Sequence, residues 1–358
     1  MRVCILGAGL TSLTLAKALV NQNIYVDIVE QKKKSLYSKA RTVGISKSNI
    51  EFFNHSIINV DKISWKLNKI QVFTDNLKKE KLISFENNDN ELFSIIRNQN
   101  LFEILEKSLS KNKYFKKINV SKNFNFITNY NLVFNTDFNN PITKKYFNRK
   151  ILKEYSSVAY TTTINHEKIY NDVAVQIFTK TGPLAFLPIS EEDTSIVYSL
   201  HNSNNKNNEK IIDLIEQYNY KYKIQKIKKI NSFELKSLSL RSYYHKNILA
   251  FGDLLHRVHP LAGQGFNMTI RDIKILLEII VNKCSLGLPF DVSVNYEFEK
   301  RSKHKNLIFS DGVDLVHEFF NLERKTNNSF LSRSVQLLGK NPSINKLFTK
   351  IADTGSLV

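Results

Sequence analysis

Apolar and polar positions in residues 2–30 predict a strand, a helix and a second strand. Residues 3–6 are all apolar, which is typical of a strand buried on both faces. Apolar residues then recur at helical spacing at Leu13, Leu15, Ala16, Leu19 and Val20. A second strand-like segment, residues 24–29, ends at Glu30. The pattern therefore predicts a βαβ unit at the start of the chain.

In the middle of the chain the pattern of apolar residues changes from helical spacing to the alternation of strands. Leu101, Leu105 and Leu109 mark one face of an amphipathic helix, and residues 131–135 read as a buried strand. Residues 151–240 then alternate repeatedly between apolar and polar positions, as in 173–178 and 195–200. This alternation predicts a mainly antiparallel sheet, with one helix near residues 211–218.

Helical periodicity returns after residue 265, through Leu277, Phe298 and Val313, and residues 330–351 are basic and weakly amphipathic. The predicted fold class is α/β: a Rossmann-like domain with a parallel sheet, a mainly antiparallel β-sheet substrate domain, and C-terminal helices. We assign the first domain to residues 1–66, 96–148 and 241–325, the second to 67–95 and 149–240, and the helical region to 326–358.

The junction between the first strand and helix carries the residues of a dinucleotide site. Gly7 allows a tight turn, and Gly9 lets the backbone approach a pyrophosphate at the helix N-terminus. Ser12 stands where a third glycine is usual and is small enough for close packing. Glu30 can accept hydrogen bonds from ribose hydroxyls and disfavours a 2′-phosphate, so FAD or NAD fits better than NADP.

A second chemical motif lies in residues 251–272. Gly252 and Asp253 follow a strand-like run, and a stiff turn leads to Gly263 and Gly265 at a predicted helix start. An acid between a buried strand and a glycine turn favours ligand binding at Asp253. For the histidines at 256 and 259 we favour local hydrogen bonding in the turn over proton transfer.

The close glycine pairs of the chain are Gly7/Gly9 and Gly263/Gly265, so we expect one tightly held dinucleotide. A second nucleotide would bind transiently. Cys4 and Cys284 match no metal spacing, so no metal site is predicted, and Cys4 reads as a small buried hydrophobe.

Charge changes the expected partners only slightly. The net charge of +19 comes from lysines spread along the whole chain, without interleaved aromatic residues, so we predict no nucleic-acid binding. We infer a modest attraction to an anionic membrane surface. The chain has no apolar run of the roughly 18 residues needed to span a membrane, and it enters a strand directly after Met1. We therefore expect a cytoplasmic protein.

Together these motifs resemble the class A FAD-dependent aromatic hydroxylases, most closely the branch that hydroxylates ubiquinone precursors. The stretch from Gly252 to Asn267 carries the strongest likeness, supported by residues 7–9, Glu30, Arg41 and the run 182–188. The resemblance implies FAD-binding residues along both motifs, and it assigns no catalytic side chain because the flavin does the chemistry. The implied cofactor-binding residues are Gly7, Gly9, Leu10, Ser12, Glu30, Arg41, Asn98, Asp253, Pro260, Gly263, Gln264, Gly265, Phe266 and Asn267, with Pro260 and His259 lining the reaction pocket.

The resemblance also implies a reaction and its partners. NAD(P)H would reduce FAD transiently, and one atom of molecular oxygen would enter the ring of a lipid-soluble prenylated phenol. Such a substrate implies a peripheral position on the inner face of a membrane or in a ubiquinone-biosynthesis complex. Two alternatives stay open: an FAD oxidoreductase that inserts no oxygen, and a flavoprotein-like assembly partner that has lost turnover.

One departure from the family favours the last alternative. The family carries an Asp-Gly pair in its middle section, and this chain has Asp137 followed by Phe138. A phenylalanine adopts positive φ angles only at a cost, so we expect a changed backbone there.

Overall fold

The computed structural model describes residues 1–30, 41–77, 80–86, 91–119, 125–201, 208–259, 263–326 and 329–355. Its strands, in chain order, are β1 (Arg2–Leu6), β2 (Tyr25–Glu30), β3 (Thr42–Ser46), β4 (Ser64–Leu67), β5 (Lys69–Thr74), β6 (Lys81–Glu86), β7 (Phe93–Arg97), β8 (Phe115–Asn119), β9 (Leu132–Asn135), β10 (Lys150–His166), β11 (Val173–Thr179), β12 (Gly182–Pro188), β13 (Asp193–His201), β14 (Ile224–Ile227), β15 (Asn231–Leu240), β16 (Tyr244–His245), β17 (Ile248–Ala250) and β18 (His256–Arg257). Its α-helices are α1 (Leu10–Val20), α2 (Lys47–Ser56), α3 (Asn98–Ser110), α4 (Pro141–Tyr146), α5 (Asn208–Tyr218), α6 (Gln264–Ser285), α7 (Val292–Thr326), α8 (Phe330–Lys340) and α9 (Pro342–Thr354).

A largely parallel sheet with the order β16-β17-β9-β1-β2-β8 forms the first layer. β1 pairs in parallel with both β2 and β9, and β9 pairs in parallel with β17. Residues 3–6 are fully buried, and Leu101, Leu105 and Leu109 of α3 join the same core. The pattern of apolar residues predicted these elements correctly, because each of them buries an apolar face in the core.

A mainly antiparallel sheet forms the second layer, with the order β18-β15-β10-β13-β12-β11-β5-β6. Alternation along β13 turns Ile196 and Tyr198 toward α5, whose Ile215 is buried in the same cluster. Ser195 and Val197 therefore point to the opposite face, since side chains alternate along a strand. β18 lies in a segment that we assigned to the first domain, yet it pairs with β15; the domain boundaries stay predictions.

A third, small sheet has the order β3-β7-β4. Arg97 at the end of β7 forms a 2.7 Å ion pair with Asp193 at the start of β13. The indole of Trp65 in β4 donates to the carbonyl of Asn171 at 2.6 Å. These contacts fix the small sheet against the antiparallel one.

The last helices cover the antiparallel sheet at β6. Gln336 of α8 donates to the carbonyl of Lys81 at 2.9 Å, and Asn345 of α9 donates to that of Ser84 at 2.8 Å. Among the helices that the structure describes, none has the length and apolar character to cross a membrane. The predicted fold class is confirmed by this arrangement of sheets and helices.

Candidate cofactor and active site

The carboxyl ends of three strands of the parallel sheet, β1, β2 and β17, place three of the predicted cofactor residues on one edge of the sheet. Gly7 follows β1, Glu30 ends β2, and Asp253 follows β17. Because these strands run in parallel through β9, their carboxyl ends lie side by side. We call this the cofactor edge; open parallel sheets bind ligands at such an edge.

The turn after β1 is held by backbone and hydroxyl groups. The Gly7 N–H donates to the carbonyl of Val29 at 3.0 Å. The Ser12 hydroxyl lies 2.6 Å from the hydroxyl of Thr136, which donates to the carbonyl of Leu6 at 2.9 Å. Thr136 was missed from the sequence, although a polar residue directly after a buried strand could have indicated it.

The N-terminus of α1 is open to an anion. Gly9 is the N-cap of α1, and no described side chain caps this helix or places an acid in its first turn. The first backbone N–H groups of a helix need acceptors, and their partial positive charge favours phosphate. The predicted pyrophosphate position of FAD fits this geometry.

The second motif meets α1 at Gly252. This residue has a φ of +66°, and a Cβ placed on it would stand 2.5 Å from the Thr11 side chain. Asp253 follows at once with an exposed carboxylate. The structure thereby brings Asp253 beside the N-terminus of α1, although some 240 residues separate them in sequence.

The cofactor turn, residues 263–267, begins α6. Gly263 is the N-cap of α6 with a φ of +67°, and a Cβ there would lie 3.3 Å from the Gly44 nitrogen. Gly44 lies in β3 against the Phe93 ring, and a Cβ on Gly44 would collide with that ring. A glycine inside a strand pattern often marks a close backbone approach, and this signal could have identified Gly44 from the sequence.

Asn267 locks the cofactor turn. Its amide nitrogen donates to the carbonyls of Gly44 at 2.9 Å and Gly263 at 3.3 Å. Its side-chain oxygen accepts from the Ser46 N–H at 3.0 Å and from Asn49 at 2.9 Å. Because the side chain is fully buried and bonded within the protein, it fixes the turn's backbone, whose N–H groups start α6.

The other side chains of the turn also face inward. The Gln264 amide contacts the Ala352 carbonyl at 3.4 Å and accepts from Arg271 at 3.2 Å. The Phe266 ring lies 6.5 Å from that of Phe53 in the core. The backbone of the turn is therefore what a bound flavin could contact.

A cavity of ≈ 220 Å³ separates the cofactor turn from the antiparallel sheet; we call it the sheet cavity. It brings together Arg41, Asn98 and Gly263 from the predicted set. Its other lining residues are Thr42, Gly44, Phe93, Ile95, Thr161, Ala185, Leu187, Ser195, Val197 and Phe233.

Two polar groups at the sheet cavity could contact a bound flavin. The side-chain oxygen of Asn98 is buried without a hydrogen-bond partner among the described residues, and a buried acceptor of this kind needs a donor. The guanidinium of Arg41 lies 4.5 Å from the Phe233 ring centre, at the cavity wall. The residues present therefore fit FAD: open helix N-termini, an unpaired acceptor, a cation and a glycine turn.

His256 has a structural contact. Its Nε2 lies 2.5 Å from the Asp272 carboxylate, whose other oxygen accepts from Asn306 at 2.9 Å. These groups join β18 to α6 and α7. His256 is thus hydrogen-bonded through Nε2 to a carboxylate of α6 and not within its own turn, and its Nδ1 is buried without a partner among the described residues.

His259 has no partner among the described residues for the local hydrogen bond that we predicted in the turn. The ring is 1% exposed, and neither ring nitrogen has a hydrogen-bond partner among the described residues. Its ring centre lies 5.1 Å from that of Tyr155 and 4.5 Å from that of His317. Burial, and then the neighbouring His317 and His201, lower the pKa of His259 to about 3. Pro260, predicted with it at the pocket, lies outside the described residues.

Phe138 avoids the predicted strain. Among the described residues other than glycine, positive φ angles occur at Asn23 and Lys246, so Phe138 has ordinary backbone. Its ring is 37% exposed, with the Lys150 ammonium 4.7 Å and the Arg257 guanidinium 5.4 Å from its centre. No group of three or more His, Cys, Asp or Glu side chains in the described part of the chain could hold a metal ion.

Comparisons with known proteins agree with this geometry. The family described as "FAD binding domain" matches residues 149–284. The 3-demethoxyubiquinol 3-hydroxylase of Escherichia coli is 26% identical over 174 residues, which are 47% of this chain and 44% of that protein. The mitochondrial ubiquinone biosynthesis monooxygenase COQ6 of Drosophila melanogaster is 23% identical over 96% of this chain and 88% of its own length.

A solved structure extends the likeness to the whole fold. The p-nitrophenol 4-monooxygenase of Pseudomonas putida superposes with a TM-score of 0.80 at 12% identity, covering 99% of this chain and 97% of that one. The predicted resemblance to FAD-dependent monooxygenases, and FAD as the cofactor, are confirmed by these matches.

We expect Asp253→Ala to weaken FAD binding by about tenfold to a hundredfold, since a hydrogen bond to a carboxylate contributes about 1.5–3 kcal/mol. Fluorescence titration of the apoprotein with FAD measures the effect. Asp213→Ala removes an exposed acid of α5, beyond the opposite face of the sheet, and should bind FAD like the wild type. Unchanged FAD affinity in Asp253→Ala would contradict the assignment.

We expect the free energy of unfolding to carry a pH dependence from His259. The folded pKa of about 3 lies below the ordinary 6.5, so between these values the unfolded chain binds the extra proton. Stability therefore falls as the pH falls through this window, by up to about 1.4 kcal/mol per pH unit. Urea denaturation of His259→Phe at several pH values should show a shallower dependence than the wild type; parallel curves would contradict it.

Proposed function

We propose that the protein is an FAD-dependent monooxygenase that hydroxylates the aromatic ring of a prenylated phenol in ubiquinone biosynthesis. The observation that carries the proposal is the sheet cavity, where the cofactor turn faces apolar side chains of the antiparallel sheet. The Escherichia coli and Drosophila relatives bear the names of ubiquinone-biosynthesis hydroxylases, which supports this choice of substrate.

The chain's part in this reaction is to bind, orient and exclude water. Bound FAD, reduced by NAD(P)H, would supply the transfer of one oxygen atom from molecular oxygen to the ring. The N-terminus of α6, which starts at the cofactor turn, offers N–H groups and a positive helix end to negative charge on the reduced cofactor. The apolar wall formed by Phe93, Leu187 and Val197 would keep water away.

Polar groups at the same cavity would orient the phenol. The Thr42 hydroxyl of β3 lies 3.1 Å from the Ser195 hydroxyl of β13, and both line the cavity. A hydroxyl can donate or accept, so this pair can bond a phenol oxygen while the ring rests on Phe233. The few polar groups in a mainly apolar pocket set the orientation of a ligand.

The reaction is tested with purified, flavin-loaded protein and a prenylated phenol of short chain. We expect the phenol to stimulate NAD(P)H oxidation and to gain one oxygen atom from isotopically labelled O₂, as read by mass spectrometry. Stimulated oxidation without a labelled product would support an oxidoreductase that inserts no oxygen. A protein that binds no flavin would support an assembly partner instead.

We propose further that α8 binds an anionic membrane surface, where such a substrate resides. Arg333, Leu337 and Lys340 lie at helical spacing on one exposed face, and Leu337 is 68% exposed. Apolar side chains between cations are typical of helices that lie in the membrane interface. The chain's net charge of +19 adds a general attraction to anionic lipid.

Vesicle flotation tests this contact. We expect the wild type to float with phosphatidylglycerol vesicles, and the double variant Leu337→Ser/Leu338→Ser to float less, because the inserted apolar area is lost. Leu286→Ser/Leu288→Ser removes two exposed leucines after α6 and should float like the wild type. Equal flotation of all three proteins would rule out α8 as the contact.

A further inference from the structure

The end of α9 is tied to the start of α2 through Asp353. One carboxylate oxygen of Asp353 accepts from the Ser48 N–H at 2.9 Å and from the Ser48 hydroxyl at 2.8 Å. The Ser46 hydroxyl donates to the Asp353 backbone carbonyl at 3.0 Å. These bonds join residues that lie about 305 positions apart in the chain.

Asp353 serves α2 as a cap supplied by another helix. Ser46 is the N-cap of α2, yet its side chain makes no capping hydrogen bond to α2. The first N–H groups of a helix require acceptors and are stabilised by negative charge. The Asp353 carboxylate provides both at Ser48, in the first turn.

The capped segment leads directly to the cofactor turn. Ser46, held by Asp353, gives its N–H to the Asn267 side chain at 3.0 Å. Asn267 in turn holds the carbonyls of Gly44 and Gly263. The preceding residue of α9, Ala352, also accepts from the Gln264 amide.

A buried cation lies at the same contact. Arg271 of α6 donates to Gln264, and its guanidinium lies 4.4 Å from the Phe309 ring centre. Burial lowers the pKa of Arg271 to about 10, and the carboxylates of Asp272 and Asp353 oppose this shift. Asp353 therefore also offsets positive charge beside the cofactor turn.

We propose that Asp353 is a positioning residue for FAD, acting through Ser46, Ser48 and Asn267 to hold the cofactor turn in its binding conformation. The inference deepens the proposed function, because it rests on FAD binding at this turn. It gives α9, whose first residues contact the antiparallel sheet at β6, a role at the cofactor site as well.

The two ends of α9 make different contacts. The positioning role of Asp353 can therefore be tested separately from the attachment of α9 to the rest of the protein. Near its start, Asn345 donates to the Ser84 carbonyl at 2.8 Å, and Phe348 packs against the cluster that includes Ile83. Asn345→Ala therefore loosens α9 on the antiparallel sheet and leaves the Asp353 bonds in place. It is the matched control for Asp353→Ala.

The experiment measures FAD binding and the state of the bound flavin in the full chain. Asp353→Ala removes both hydrogen bonds from Ser48 to the carboxylate. Because only part of their energy acts on the turn, we expect about tenfold weaker FAD binding. We also expect a changed visible circular dichroism spectrum and a shifted flavin midpoint potential at saturating FAD, because the turn's N–H groups move. Asp353→Asn keeps an acceptor oxygen for Ser48 and should recover most of the affinity.

The outcomes separate the two proposals. A wild type that binds no FAD contradicts the proposed function itself. If the wild type binds FAD, then unchanged affinity, spectrum and potential in Asp353→Ala overturn the positioning proposal. Equal weakening by Asn345→Ala overturns it as well, because general loosening of α9 then explains the effect.

Discussion

The parallel pairing of β1 with β2 on one side and β9 on the other is the constraint on which the remaining structure depends. It lines up the carboxyl ends of the strands, so that the turn after β1 and the acid ending β2 face one region. β9 extends the same edge to β17 and so to Asp253. The backbone hydrogen bonds between the strands therefore determine that the polar groups of the cofactor edge lie close together.

The small sheet meets this edge where the backbone of β3 crosses the start of α6. Gly44 and Gly263 approach closely, and the buried amide of Asn267 holds both carbonyls. A side chain at either glycine would push the small sheet away from α6 and open the sheet cavity. The spacing between flavin position and apolar wall is therefore set by backbone contact.

Elements with a local period could be predicted from the sequence. The βαβ unit of residues 2–30 and the alternation along β13 each follow from one buried face. Asp253 was predicted as a ligand-binding acid from its place after a buried strand and before a glycine turn, and it lies exposed at the cofactor edge. Thr136 and Asp353 were not found, since their partners lie far along the chain. Periodicity shows which face of a segment is buried and leaves open which distant segment covers it.

The strand order has a consequence for synthesis on the ribosome. β1 lies in the interior of its sheet, yet one neighbour, β9, is made more than a hundred residues later, and β17 follows only after the antiparallel sheet. The nascent β1 therefore exposes an unpaired edge for much of translation, a state that favours misassociation. The cofactor edge is complete only after β17 has been made, so the flavin site forms late in translation.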